Sequence, residues 1–359
     1  MQVLSQEPVM RNIKKSTVSV SRLITNGLTA SAVVFGASMA HAQSSVTLYG
    51  ILDAGIRNDS HTAAPATGAT SPSALTAFGS GILNTSRFGI RGTEDLGSGL
   101  KANLSLDASI SDATGASVNA ASLFDRRSAV GLQGPWGRLD LGRNSTFGYD
   151  ITASYVSDPL GQELSNNKQG TSTKAWTINP LSTVYGSGFT TVRRDNAIKY
   201  LGNFGDVSVG AAYALGGVSG NSSANNSLQG LIRYTGNGID VAGTYDDLTD
   251  STGSKHLKTY NLGGNYSLSG VKFTLGYTNQ QADAGFAPSA TALTGSTVAN
   301  PYAFVGATAS STGVKLAVTD LGLTYNFTPA LNVVGALYQT NLSANGISNS
   351  KFNTYVVRA

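Results

Sequence analysis

Across residues 100–110 the chain alternates without a break. Leu100, Ala102, Leu104, Leu106, Ala108 and Ile110 take one side, and Lys101, Asn103, Ser105, Asp107 and Ser109 the other. Successive side chains of a strand point to opposite faces, so a period of two defines one apolar surface and one wet one. The rhythm returns many times. Val271, Phe273, Leu275 and Tyr277 oppose Lys272, Thr274, Gly276 and Thr278, and Ile239, Val241, Gly243 and Tyr245 oppose Asp240, Ala242, Thr244 and Asp246. About fourteen such segments follow one another between residues 45 and 358, and no helical period persists after residue 42. The pattern predicts an all-β fold.

The connections alternate as well. Asn237-Gly238, Ser269-Gly270 and Thr328-Pro329 read as tight turns. Residues 57–82, 111–121, 145–190, 217–226, 248–256, 281–313 and 342–350 read as longer loops rich in Ser, Thr, Ala, Asn and Gly. Short turns on one side and long loops on the other are the habit of a transmembrane antiparallel β-barrel. Many strands also end in an aromatic ring: Tyr200, Tyr213, Tyr234, Tyr245, Tyr266, Tyr277, Tyr325 and Phe327. Such amphipathic rings suit a girdle at the lipid–water boundary.

The first 42 residues read as a cleaved signal peptide. Arg11, Lys14, Lys15 and Arg22 form a basic stretch, an apolar run follows to about Met39, and Ala40-His41-Ala42 precedes a cleavage point between Ala42 and Gln43. The basic stretch starts more naturally at Met10 than at Met1. Residues 43–359 then make one barrel domain of 317 residues with 20 basic and 19 acidic side chains. That near-neutral balance argues against nucleic acid as a partner, which would need a dense basic patch. The chain has no cysteine, so disulfides do not hold this exported protein together.

Reactive constellations are missing from the sequence. After residue 42 the histidines are His61 and His256, both in expected loops, and there is no zinc spacing, nucleophile elbow or phosphate-binding loop. We expect no catalytic residue, no metal and no cofactor. The informative polar residues are cations on strands. Phe88 and Ile90 take one face, so Arg87 and Arg91 take the other, and a charge facing lipid at mid-depth costs about 2–4 kcal/mol. These arginines therefore face a lumen, and the same parity turns Arg193, Asp195 and Lys199 inward. Parity alone leaves Arg126 open, because Arg127 is adjacent.

Several blocks are more specific than rhythm. The run from Gln43 through Leu48-Tyr49-Gly50-Ile51-Leu52-Asp53-Ala54-Gly55, the run Ser86-Arg87-Phe88-Gly89-Ile90-Arg91-Gly92-Thr93-Glu94-Asp95-Leu96, the pair Arg126-Arg127 with Trp136-Gly137-Arg138 and Arg143, and Asp195-Asn196-Ala197-Ile198-Lys199-Tyr200 resemble the trimeric general porins of Gram-negative β-proteobacteria. The likeness covers about the first half of residues 43–359 closely and the remainder in rhythm. It implies a 16-stranded barrel in the bacterial outer membrane and a homotrimer. It also implies a third loop, about residues 144–190, folded into the lumen. Carried over, the basic wall of the constriction is Arg87, Arg126 and Arg193, with Arg91 and Lys199 as further lumen-facing cations. Asp158 and Glu163 supply the acidic side, and Asp150 stands at the loop's entrance.

The implied partners are a second and third copy of the chain, outer-membrane lipid and lipopolysaccharide, the barrel-assembly machinery, and small hydrophilic solutes and ions. The expected function is passive diffusion through a water-filled channel, mildly anion-selective. Two departures stand out. Fourteen strands are counted where sixteen are implied, and the chain finishes Tyr355-Val356-Val357-Arg358-Ala359 where the family closes on phenylalanine, so the last strand is atypical or missing. A secreted adhesin or autotransporter-like β-protein that forms no pore is the alternative.

Overall fold

A computed structural model describes residues 45–62, 73–81, 84–119, 122–152, 193–286, 313–328, 331–344 and 347–358. The chain divides into two units, Met1–Ala40 and His41–Ala359, and every described residue belongs to the second. Both residues of the expected cleavage point, Ala42 and Gln43, lie outside the described residues, as do Asp158 and Glu163.

The strands are β1 (Ser45–Ile51), β2 (Ala54–Thr62), β3 (Ser73–Ser80), β4 (Arg87–Gly97), β5 (Leu100–Ser109) and β6 (Arg127–Gly134). After β7 (Gly137–Ser145) comes a short helix, α1 (Phe147–Thr152). The chain then continues through β8 (Arg193–Phe204), β9 (Val207–Ala214), β10 (Ser227–Gly236), β11 (Ile239–Thr249) and β12 (His256–Leu268). Last come β13 (Val271–Ala282), β14 (Val314–Thr328), β15 (Leu331–Ala344) and β16 (Ile347–Arg358). Fourteen of these form one antiparallel sheet in the order β1-β4-β5 and onward without a crossover to β16. Such neighbour-to-neighbour pairing is the meander from which an up-and-down barrel is rolled.

The sheet has fourteen strands where the family resemblance implies sixteen. Its two remaining elements, β2 and β3, pair only with each other and prolong the first hairpin. Asp53 knots the interruption. Its carbonyl accepts from the Gly81 N–H at 2.6 Å, its N–H donates to Ser86 Oγ at 2.9 Å, and its carboxylate accepts from the Asn84 N–H. Residues 57–82, read as a loop from their Ser, Thr and Ala content, thus contain a hairpin. Backbone pairing continues there although the sequence period has faded. Residues 342–350 depart in the same way, since β15 runs to Ala344 and β16 starts at Ile347. The stretch 287–312, where further strands could be sought, lies outside the described residues.

The tight turns carry the chemistry that hairpins require. Asn237 and Gly238 both have positive φ, 53° and 78°, the mirror-image turn whose twist matches the flanking strands. Ser269 and Gly270 repeat it at 48° and 84°.

Burial is inverted relative to a water-soluble protein. On one face Leu262, Leu275 and Leu321 are 60%, 58% and 55% exposed, while on the other Asn261, Thr274 and Asp320 are 8%, 2% and 1% exposed. Leaving so many leucines in water would forfeit about 25 cal/mol for each Å² of apolar surface, so this outer face belongs in hydrocarbon. Rings border it at the short-turn end. Tyr325 and Phe327 meet edge to face at 4.6 Å, and Tyr200 stacks near Trp136 with its hydroxyl donating to the Trp136 carbonyl at 2.6 Å.

Candidate functional site: the charged inner wall and the root of the third loop

The inner face of β4–β8 gathers the sequence-predicted cations. Arg87 opens β4 and stands in register with Ser109, whose N–H donates to Asp125 Oδ1 at 2.7 Å. Its own Nη1 donates to Asn84 Oδ1 at 3.1 Å. Arg126 and Arg193 are brought together directly, since Arg193 Nε donates to the Arg126 carbonyl at 2.7 Å. Asp107, on the inner face of β5, interacts electrostatically with Arg126, Arg127 and Arg193. Arg91 sits lower on β4 with its guanidinium 3.9 Å from the centre of the Tyr49 ring. Arg126 and Arg193 are therefore brought together, and Arg87 stands in register with Ser109, whose N–H is held by Asp125 beside Arg126. The acidic partners expected opposite, Asp158 and Glu163, lie outside the described residues.

Four further cations, which the sequence reading did not single out, complete the wall. Arg127 and Arg138 both pair with Asp140, at 2.8 and 2.9 Å. Arg143 pairs with Asp195, and its Nε donates to the Asp125 carbonyl at 2.7 Å. Arg194 pairs with Asp246 at 2.7 Å, and Ser227 Oγ donates to the other carboxylate oxygen at 2.9 Å. Strict alternation turns Arg194 away from the lumen. The register slips between Gly142 and Asn144, so Asp195 and Asn196 stand opposite Arg143 alone. Asn196 takes a positive φ of 51° there, and beyond it the alternation is reversed, so that Arg194 faces inward. The inward parity expected of Arg193 and Asp195 no longer follows from Lys199, and Arg193 reaches the Arg126 carbonyl from the first position of β8 rather than by parity. A bulge re-aims a side chain in this way and leaves no mark in a hydrophobic pattern.

The root of the third loop is seated on the wall across the lumen. Thr146 accepts the Tyr149 N–H at 3.2 Å and so caps α1, which packs against β10, β11 and β12. Phe147 is buried, and its N–H donates to Gln229 Oε1 at 3.1 Å. Gly210 makes room for the ring: a Cβ there would fall 2.5 Å from Phe147 Cζ. Lys199 closes the seat. Its Nζ lies 4.5 Å from the centre of the Phe147 ring, 2.6 Å from Asp150 Oδ2 and 2.9 Å from the Ser145 carbonyl. Lys199 is thus inward but buried, and acts as a clasp on α1. Arg193 lies 5.3 Å from the centre of the Tyr149 ring, joining the seat to the basic wall.

At the long-loop end, residues 250–255 form a turn around one carboxylate. Asp250 accepts from the Thr252 hydroxyl at 2.7 Å and from the N–H groups of Thr252, Ser254 and Lys255. Burial pushes this carboxyl up, but those hydrogen bonds together outweigh it and hold the group below its ordinary value. A depressed carboxylate contributes stability above its unfolded value of about 3.9, and that stability is lost as pH falls through the folded value. The amides of Thr252, Ser254 and Lys255 are therefore expected to lose protection from hydrogen exchange only as the pH drops below about 4. With Asp250→Ala the turn should already yield to neutral proteases at pH 7. A protection factor at these amides that is flat from pH 5 to pH 2 would contradict this account.

A hydrogen-bonded meander that is apolar outside and charged inside defines a membrane channel of the outer-membrane type. The model of the family described as Gram-negative porin matches residues 28–359, and the chain belongs to that family. An outer membrane porin protein of Bordetella pertussis is 31% identical over 278 residues, which cover 70% of this chain and 68% of that protein. Outer membrane porin protein 32 of Delftia acidovorans is 33% identical over 196 residues, covering 52% and 48%. Among solved structures, an anion-selective porin from Comamonas acidovorans superimposes with a TM-score of 0.58 at 22% identity, covering 87% of this chain and 90% of that one. A trimer form of OmpT of Vibrio cholerae superimposes at 0.56 with 11% identity, covering 88% and 82%. The protein is an outer-membrane porin with a β-barrel fold. The adhesin alternative is overturned by this membership and by the lipid-facing outer surface.

Proposed function

We propose that the chain forms a passive, water-filled pore with mild anion selectivity, set by Arg87, Arg126 and Arg193 facing the acidic Asp158 and Glu163 of the third loop. The observation that carries this reading is the Arg126–Arg193 contact on the inner wall. Arg127, Arg138, Arg143, Arg194 and Lys199 are each paired with a carboxylate, whereas Arg126 and Arg193 form no ion pair among the described residues. Asp107 offsets part of their charge. Arg126 and Arg193 concentrate positive charge at one place on the wall, and unit charges beside a narrow channel interact at an effective dielectric nearer 20 than 80. An anion then meets the lower barrier, and added salt weakens the preference by screening.

In this reading residues 1–42 are removed on export, residues 43–359 form the barrel, and residues of about 144–190 narrow it. Three copies associate, the barrel-assembly machinery inserts them, and outer-membrane lipid and lipopolysaccharide surround them. The chain carries no catalytic chemistry and needs no cofactor. The trimeric OmpT and the anion-selective Comamonas porin support the assembly and the selectivity by analogy of fold.

The test is a reversal potential in a salt gradient across a planar bilayer. The wild type should favour the anion, and Arg87→Ser with Arg126→Ser should shift the potential toward cations while the barrel stays folded, because lumen residues tune selectivity. Arg193 is kept, since its Nε holds the Arg126 backbone. A cation-selective wild type would refute the assignment.

A further inference from the structure

The lipid-facing surface of β11–β16 is not uniform. At the long-loop end, strand register places Asp247, Lys258, Gln281, Lys315 and Ser343 in one row across β11–β15. All share the outward face with Leu262, Leu275 and Leu321, and Lys351 on β16 is exposed on that face beside Asn341. None of the three lysines forms an ion pair among the described residues. The row's carboxylate, Asp247, is already engaged by His256 Nδ1 at 2.7 Å and the Tyr245 hydroxyl at 3.1 Å.

Below the row lies a groove of about 950 Å³ between β11 and β14, and no charged residue lines it. Its floor is Gly264, which stands in register between Val241 and Leu275, with Tyr266 and Tyr277 as the ring-bearing rims. Its upper lining, Leu262, Tyr277 and Thr319, is one register row. That row is four residues below Lys258 and Lys315, or about 13 Å at roughly 3.3 Å per residue. This is half of an apolar band about 25 Å tall, the share of one leaflet.

We infer that this face holds a phosphorylated acyl lipid of the outer leaflet, with Lys258, Lys315 and Lys351 gripping the phosphates and the Gly264 groove taking an acyl chain. The inference rests on the outer-membrane reading and gives its lipid partner a place. Lysine ammoniums at the headgroup level select an anionic head, each at about 1 kcal/mol near such a surface. The uncharged groove below them excludes a soluble phosphate compound as the occupant.

Native mass spectrometry of the full-length protein in detergent tests this with three probes: a deep-rough lipopolysaccharide, phosphatidylcholine and inorganic phosphate. The wild type should retain the lipopolysaccharide at least about tenfold more tightly than the Lys258→Gln, Lys315→Gln, Lys351→Gln triple variant. Thr319→Phe, which fills the groove and leaves the lysines alone, should also weaken retention. Equal retention by wild type and triple variant, or equal retention of phosphatidylcholine, overturns the proposal. Retention of inorganic phosphate as tight as that of the lipopolysaccharide overturns the acyl site. Conductance measured on the same samples should be unchanged, and reports separately on the pore.

Discussion

Asp246→Ala is expected to cost the barrel about 3–5 kcal/mol, the largest loss of any single change considered, because it strips a buried guanidinium of its carboxylate. Arg194 and Asp246 are both buried on the inner face, and Ser227 completes the carboxylate's hydrogen bonding. The cost is mainly that of a stranded charge rather than the worth of the pair. Replacing both partners, Arg194→Met with Asp246→Leu, should therefore recover most of the loss. Urea unfolding in detergent, followed by the shift between folded and unfolded mobility on a gel, measures both variants. A loss below about 1 kcal/mol for Asp246→Ala would place the pair among solvated ones.

The largest effect on transport should come from the third loop. Deleting residues 153–190 leaves β7, β8 and α1 intact and should raise single-channel conductance roughly twofold or more, since ion flow grows with the open cross-section. A milder displacement should follow Gly210→Val. The new side chain needs the space that the Phe147 ring occupies, so α1 must leave its seat. Phe147→Ala combined with Gly210→Val should restore the seat in part, an outcome that general loosening of the barrel would not give. Unchanged conductance after the deletion, with the barrel folded, would place the loop outside the pore.

Much of this architecture could be read from alternation alone. The outer face of β12–β14 and the tight turns at Asn237 and Ser269 lie where the period of two put them, because lipid demands an apolar side chain at every second position. Legibility fails where that demand stops. The β2–β3 hairpin stands outside the fourteen-stranded sheet, and its pairing is a backbone matter that side chains do not advertise. Arg194 was hidden by the slip at Asn196, since one extra residue on β8 reverses parity without altering composition. The seat of Phe147 joins residues from β7 to β12, and nothing local in 147–152 announces partners as distant as Gly210 and Gln229. Parity gave Arg87 and Arg193 as inward candidates and the resemblance joined Arg126 to them; the geometry adds that Arg193 and Arg126 touch.

The evenness of fourteen also has a consequence for the cell. Each hairpin reverses the chain, so β1 begins and β16 finishes on the side of the tight turns. The turns at Asn237-Gly238 and Ser269-Gly270 therefore look one way, and the turn at 250–255 looks the other. A peptide tag spliced into residues 250–255 would be displayed to antibodies and phages outside the bacterium, whereas one spliced at Asn237-Gly238 would stay in the compartment behind the membrane and would have to break a mirror-image turn to fit. The sheet thus has a public side and a private one, and its tolerance of insertions is divided the same way.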